Sequence, residues 1–228
     1  MKKLTVAELA SYLDHANLHP CTTTEQMEAH CALGVAYGLK LIAVNSYWVK
    51  ACKAFVKGSA TQVGGSAGFP LGLDTMETKV VETANALKDG ADEIDYVINL
   101  SALKDRNWAY VEEEMRQIVG LCKERGLISK AIIETCYLDE AEIIKMCEIA
   151  NRVKPSFLKT STGLGPGGAT VEAVRLMRDH LDDEVQVKAS GGVGNLEICL
   201  AMIEAGATRI GSSSCVAIMD AYKGRALC

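Results

Sequence analysis

The chain has 228 residues, 49% hydrophobic and 23% charged, which is enough for one sizeable core and a common length for a single α/β barrel. A formal net charge of -5 argues against nucleic acid or an anionic membrane as the main partner, and no apolar run is long enough to span a bilayer. Nine scattered cysteines, with no CxxC, no paired spacing and no signal peptide, point to a reducing cytoplasm rather than to a disulfide framework.

In chain order, the sequence predicts a short helix over 5–12 and a strand over 13–18 that stops at Pro20. Thr22-x-x-Glu25 reads as a capping box opening a helix to about 33. An apolar strand over 39–44 ends at Asn45-Ser46, which caps a helix to about 57. A strand rich in small residues, 61–68, leads into Phe69-Pro70-Leu71-Gly72. Asp74-x-x-Glu77 opens the next helix, with Val80, Ala84 and Leu87 on one face and Gly90 as its stop. The fourth strand covers 91–99 and carries Asp95. Trp108, Val111, Met115, Ile118 and Cys122 then recur every three or four residues, the mark of an amphipathic helix, which Gly126 ends. Strand five, 128–135, has Glu134 near its end, and Asp139-x-x-Glu142 opens a helix to about 152. Strand six spans 155–161, followed by a helix over 170–181, strand seven over 185–190, a helix over 195–205, strand eight over 209–212 and a last helix over 214–222.

Eight short strands thus alternate with helices over 1–228, without linker or low-complexity segment. The strands read as continuous apolar runs, as in a parallel sheet covered on both faces. An internal echo, Asp89-Gly90-Ala91-Asp92-Glu93-Ile94 against Ala205-Gly206-Ala207-Thr208-Arg209-Ile210, suggests a repeating βα unit. The expected fold is a single-domain (β/α)8 TIM barrel with a short N-terminal helix and a site at the strand C-terminal ends. A doubly wound sheet is the alternative, but the GxGxxG turn it usually carries after its first strand is absent.

Polar residues near the predicted strand ends are therefore candidates for chemistry: Asp14, Asp95, Glu134, Lys159, Lys188 and the hydroxyls of Thr160, Ser161, Ser190 and Ser212. Singly, each has a plain structural explanation, as a cap, an amide acceptor or an ion pair. Together, two lysines and an aspartate form a coherent set. An ordinary lysine, with a pKa of about 10.4, is protonated at neutral pH. Burial and a second ammonium nearby both disfavour that charge, and the neutral amine is a nucleophile towards carbonyls. Lys159 is the candidate Schiff-base former, Lys188 the neighbour that depresses its pKa, and Asp95 the proton relay. An iminium is an electron sink suited to aldol cleavage and condensation, with no metal or other cofactor required.

Three small-residue turns follow the last three predicted strands: 163–168, Gly191-Gly192, and Gly211-Ser212-Ser213-Ser214. Glycines let backbone amides approach an anion, and the following helix N-termini favour negative charge, so the turns predict a phosphorylated ligand. Thr160, Gly163, Gly191, Gly192, Gly211, Ser213 and Ser214 are the candidate substrate and phosphate contacts, with Asp14 and Glu134 in support. The four histidines show no ligand spacing, and His30 and His180 read as helix-surface or edge residues.

At this point the chain resembles a known family, the deoxyribose-phosphate aldolases, which are Schiff-base enzymes. The resemblance rests on Leu13-Asp14-His15, Gly68-Phe69-Pro70-Leu71-Gly72, the segment from Asp89 to Asp95, Ile132-Ile133-Glu134-Thr135, Phe157-Leu158-Lys159-Thr160-Ser161-Thr162-Gly163, Gly167-Gly168-Ala169-Thr170, and Val187-Lys188-Ala189-Ser190-Gly191-Gly192. It implies a (β/α)8 barrel that reversibly cleaves 2-deoxy-D-ribose 5-phosphate to D-glyceraldehyde 3-phosphate and acetaldehyde in deoxyribonucleotide catabolism. It makes Lys159 the Schiff-base lysine, Lys188 its perturbing partner and Asp95 the relay. It puts Gly163, Gly191, Gly192, Ser213 and Ser214 around the phosphate. The chain departs from the family pattern at Ala16-Asn17-Leu18-His19, at Ala43 and Ser46, at Gly194, at Cys215 and in its tail, where no family tyrosine is found and Tyr222 is a poor stand-in.

Three rivals stay open on the sequence: a ketose-phosphate Schiff-base aldolase, a non-catalytic pyridoxal phosphate carrier, and a barrel kept only for binding. Barrels of this kind associate through helix faces, so a homodimer is expected, although no residue specifies it.

Overall fold

Side chains on a strand point alternately to its two faces, so a strand that is buried throughout can still serve two environments. The computed structural model, which describes residues 4–226, uses this alternation to separate apolar from charged side chains. Its strands are β1 (Leu13–Asn17), β2 (Leu41–Val44), β3 (Gln62–Ala67), β4 (Glu93–Val97), β5 (Ile128–Ile132), β6 (Phe157–Lys159), β7 (Gln186–Ser190) and β8 (Arg209–Ser212). All pair in parallel with their sequence neighbours, and β8 closes on β1 to make a barrel. Its helices are α1 (Val6–Tyr12), α2 (Thr24–Ala36), α3 (Val49–Phe55), α4 (Met76–Lys88), α5 (Leu100–Lys104), α6 (Trp108–Lys123), α7 (Glu140–Val153), α8 (Val171–His180), α9 (Leu196–Glu204) and α10 (Cys215–Ala226). This is the expected (β/α)8 architecture. The short α5 was not anticipated; Asn99 caps it by accepting from the Ala102 amide at 3.0 Å.

Outward strand residues such as Ile94, Tyr96, Leu158, Val187, Ala189 and Ile210 are buried against the helices. On α6, Val111, Met115, Ile118 and Cys122 are fully buried, as their spacing predicts. Asp14, Glu93, Asp95, Lys130, Lys159, Lys188 and Arg209, at intervening positions, are buried inside the barrel instead. The strands are therefore not the continuous apolar runs expected of them. Several alternate between an aliphatic outer face and a charged inner one.

Local chemistry explains the helix starts, with two corrections. The capping box of α2 is Thr23 with Gln26, one residue later than Thr22 with Glu25, while Thr22 bonds to Asn17 and the His19 carbonyl. Thr75, not Asp74, caps α4. The buried side of α4 also differs from the predicted one. It runs through Lys79, Thr83, Ala86 and Leu87, because Lys79 is drawn inward by an ion pair. Its Nζ lies 2.7 Å from Glu114 Oε1 on α6 and donates to the carbonyls of Gly72 and Val97 at 2.7 and 2.9 Å. Glu114 Oε2 accepts from the Asn99 amide at 2.9 Å. The pair thus ties α4, α6, the loop after β3 and the end of β4 together.

Behind β1, His15 stacks on His30 of α2, with centroids 3.7 Å apart and planes 14° apart. His30 is thus a packing residue rather than a surface one. Burial, and then the neighbouring His30, push the His15 pKa down to about 3. Both His15 ring nitrogens are buried without a hydrogen-bond partner.

Removing one member of a buried pair strands the other charge. Glu114→Ala is expected to cost about 3–5 kcal/mol in urea unfolding, and Lys79→Met/Glu114→Leu to recover most of it. A single variant as stable as the parent would contradict the tie described here.

Candidate active site

The C-terminal ends of the strands surround a cavity of about 440 Å³. Lys159, Lys188 and Asp95 all reach it, and the turns after β6, β7 and β8 form one side. The register brings the amines together: Lys159 pairs with Lys188 across β6 and β7, and Asp95 pairs with Lys130 across β4 and β5. Asp95 Oδ2 accepts from Lys159 Nζ at 2.7 Å and from Lys188 Nζ at 2.8 Å. One carboxylate oxygen therefore bridges the two amines.

The trio continues into a larger ion network. Lys130 Nζ lies 2.5 Å from Asp95 Oδ1, 2.6 Å from Glu93 Oε2 and 3.7 Å from Asp14 Oδ2. Lys188 also reaches Asp14 Oδ2 at 2.6 Å. Arg209 Nη1 donates to Asp14 Oδ1 at 2.8 Å and to Glu93 Oε2 at 3.0 Å. Lys130, Glu93 and Arg209 were not among the expected site residues. Glu93 and Arg209 open their strands, and Lys130 lies mid-strand, so a search confined to strand ends passes over all three. The available signal was parity: Glu93 stands two residues before Asp95, on the same strand face.

Burial alone would raise the Asp95 pKa, but Lys130, Lys159 and Lys188 together hold it well below the usual carboxylate range. Asp14 is likewise lowered: burial opposes this, and Lys188, Lys130 and Arg209 overcome it. Lys130 is raised, its desolvation outweighed by Asp95, Glu93 and Asp14. Lys159 moves the other way, down to about 8. Burial is the largest cause; Asp95 opposes it, and Lys188 and Lys130 add to it. Lys188 thus contributes to the depression expected of it, but desolvation contributes more.

The small-residue turns pack closely. Gly168 and Gly191 meet backbone to backbone, so that a Cβ on Gly168 would lie 2.2 Å from the Gly191 carbonyl oxygen. Gly163, Gly191, Gly192, Gly211, Ser213 and Ser214 line the cavity. Thr160 does not: it is fully buried and exchanges hydrogen bonds with the Ser190 backbone, tying β6 to β7. Thr162 takes its place on the lining. Glu134 adopts a left-handed backbone (φ 49°) and accepts from the amide and hydroxyl of Thr162, so it shapes the turn after β6 rather than meeting the lysines. Asp14 is likewise absent from the lining and pairs with Lys188 and Arg209 instead.

Of the departures from the family pattern, His19, Ala43 and Gly194 line the cavity. Cys215 is buried, and its thiol donates to the Ser212 carbonyl at 3.1 Å. Tyr222 donates to the Leu4 carbonyl at 2.5 Å beside α1, which leaves it no part in the cavity; Leu227 and Cys228 lie outside the described residues. Among the described residues, no three His, Cys, Asp or Glu side chains are grouped to hold a metal ion, and no helix is long and apolar enough to cross a membrane.

Comparison with known proteins agrees with this geometry. The model of the DeoC/LacD family aldolases matches residues 12–226. A deoxyribose-phosphate aldolase from Lactobacillus acidophilus is 45% identical over 98% of this chain and 94% of its own length. One from Thermococcus gammatolerans is 48% identical over 93% of this chain and 96% of its own. Among solved structures, QR15, an aldolase, superposes with a TM-score of 0.91 at 39% identity, covering 96% of this chain and 97% of that one. The tetrameric deoxyribose phosphate aldolase from Aeropyrum pernix does so with a TM-score of 0.90 at 27% identity, covering 97% and 93%. A barrel closed around two carboxylate-bridged lysines, matched along nearly its whole length, belongs to the DeoC/LacD family of aldolases.

Proposed function

We propose that Lys159 is the Schiff-base nucleophile of a deoxyribose-phosphate aldolase, with Asp95 and Lys188 as its proton relay. The observation that carries this reading is the single oxygen, Asp95 Oδ2, that accepts from both amines. In the direction of cleavage, the neutral Lys159 amine adds to the C1 aldehyde of open-chain 2-deoxyribose 5-phosphate. The carbinolamine loses water to give an iminium. Removal of the C3 hydroxyl proton breaks the C2–C3 bond and releases D-glyceraldehyde 3-phosphate, while the electron pair moves into an enamine. Protonation at C2 and hydrolysis then free acetaldehyde and return Lys159. Asp95, ionised at rest, passes protons between Lys159 and Lys188 by taking each one up transiently and giving it on.

The turns of Gly163, Gly191 and Gly192, with Ser213 and Ser214 at the start of α10, are suited to receive the 5-phosphate. Among the described residues, the lining carries no lysine or arginine apart from Lys159 and Lys188, so backbone amides and hydroxyls supply the grip. Eight cysteines stand free among the described residues, which supports a reducing, cytoplasmic setting for a single-domain enzyme. A homodimer through the helix shell completes the proposal.

Borohydride reduction in the presence of acetaldehyde is expected to leave a two-carbon adduct on Lys159, found by peptide mass spectrometry. An adduct on any other lysine would overturn the assignment. The rate at limiting substrate should rise with pH through about 8, as Lys159 loses its proton. Lys188→Leu removes a repelling charge and leaves Asp95 to Lys159 and Lys130 alone, so it should move that rise upward by about one pH unit. An unmoved profile would remove Lys188 from this role. Gly168→Ala forces the turns apart and is expected to raise KM for 2-deoxyribose 5-phosphate about tenfold, in line with about 1–3 kcal/mol for overpacking. Acetaldehyde trapping at Lys159 should persist in that variant. If KM is unchanged, the turns do not hold the phosphate.

A further inference from the structure

The barrel interior holds four basic heads, those of Lys130, Lys159, Lys188 and Arg209, and three carboxylates, those of Asp14, Glu93 and Asp95. All seven residues are buried. With every group ionised the cluster carries one surplus positive charge, and it becomes neutral when one amine gives up its proton. An uncompensated charge in such a place costs several kcal/mol, so the neutral arrangement is favoured.

Contacts decide which amine yields. Arg209 does not deprotonate in proteins. Lys130 faces three carboxylates, those of Asp95, Glu93 and Asp14. Lys188 faces two, Asp14 and Asp95. Lys159 has Asp95 alone and shares it with both other lysines. Lys159 therefore holds its proton least securely.

We propose that the Glu93–Arg209 pair, which does not line the cavity, is a positioning element that sets the charge count of the barrel interior and thereby weakens the hold of Lys159 on its proton. The inference rests on the reading of Lys159 as the nucleophile. Arg209 is enclosed by Asp14 from β1, Glu93 from β4 and the Phe157 ring from β6, its guanidinium 5.1 Å from the ring centroid, with Lys188 of β7 beside it in register. Lys130 of β5 faces the same two carboxylates. Around Lys159 stand Asp95 from β4, Lys188 from β7 and Lys130 from β5, while Glu134 is engaged by Thr162. The charge of Arg209 reaches Lys159 through these shared carboxylates: it occupies Asp14 and Glu93, which would otherwise bind Lys188 and Lys130 more fully and leave Asp95 to Lys159.

The test removes one charge at a time and follows Lys159 directly. Cyanic acid adds across its N–C bond to an unprotonated amine, giving a carbamoyl group with nothing lost. The rate of carbamoylation at Lys159 against pH, divided by the cyanic acid concentration at each pH and read by peptide mass spectrometry on the full chain, therefore reports its protonation. Arg209→Gln removes a positive charge and should move the midpoint up by about one pH unit, a tenfold loss of labelling rate at pH 7. Glu93→Gln removes a negative charge and should move it down by a similar amount. Glu93→Gln/Arg209→Gln keeps the count, and Arg209→Lys keeps the charge; both should stay within a few tenths of a pH unit of the parent. A merely structural pair would not give shifts of opposite sign. Arg209→Gln and Glu93→Gln each predict their own direction, so either one that folds, as judged by circular dichroism, decides the matter alone. Shifts of the same sign, or none, would overturn the inference while leaving the acetaldehyde adduct on Lys159 intact. Absence of that adduct in the parent would instead overturn the reading of Lys159 as nucleophile.

Discussion

An unequal number of positive and negative groups buried inside one barrel is the constraint on which this structure turns. Seven ionisable side chains fill the centre where aliphatic side chains commonly pack, and they cannot all be ionised and balanced at once. The unevenness falls on the lysine with the fewest carboxylates to itself, which also faces the cavity. The lowered pKa of Lys159 is a property of the whole interior rather than of one neighbouring ammonium. Burial exceeds Lys188 as a cause of the lowered Lys159 pKa for the same reason: a buried surplus charge loses hydration that would stabilise it.

The outer layer makes that interior possible. Aliphatic residues on the outward strand faces pack against the helices, and this packing supplies the stability that a core of ion pairs does not. The loops are then free to serve the ligand. Thr160 and Ser190 tie β6 to β7, Glu134 holds the turn that begins at Thr162, and the Lys79–Glu114 pair secures the opposite wall through the loop after β3. These groups need not touch a substrate, yet each fixes backbone that lines or borders the cavity.

Much of this is written plainly in the chain. Every strand falls within a residue or two of an expected apolar run, except β5, which ends at Ile132, three residues short of its expected end. Lys159, Lys188 and Asp95 stand out because a charge near the end of an apolar run invites a functional explanation. Lys130, Glu93 and Arg209 were harder to see, since a charge away from the C-terminal end of a strand only makes sense once its partners on other strands are known, and those partners are up to 195 positions away. Thr160 misled because strand parity sends it between strands while its neighbour Lys159 enters the cavity. The two misplaced caps share one cause. Thr22-Thr23 and Asp74-Thr75 each offer adjacent residues able to cap, and tertiary context selects the second.

The stacked pair of His15 and His30 lies behind β1, on the far side of that strand from Asp14, and concerns the fold rather than the reaction. Unfolded, a histidine takes up a proton near pH 6.5. Folded, His15 resists one down to about 3. A group whose folded pKa is depressed contributes stability that is complete above the unfolded value and drains away as pH falls towards the folded one. The barrel therefore carries an acid brake of its own. Between about pH 6.5 and 3, protons pull the chain towards the unfolded state through a pair of rings that takes no part in catalysis. The acid sensitivity of the fold and the lowered pKa of Lys159 are governed from opposite faces of the sheet.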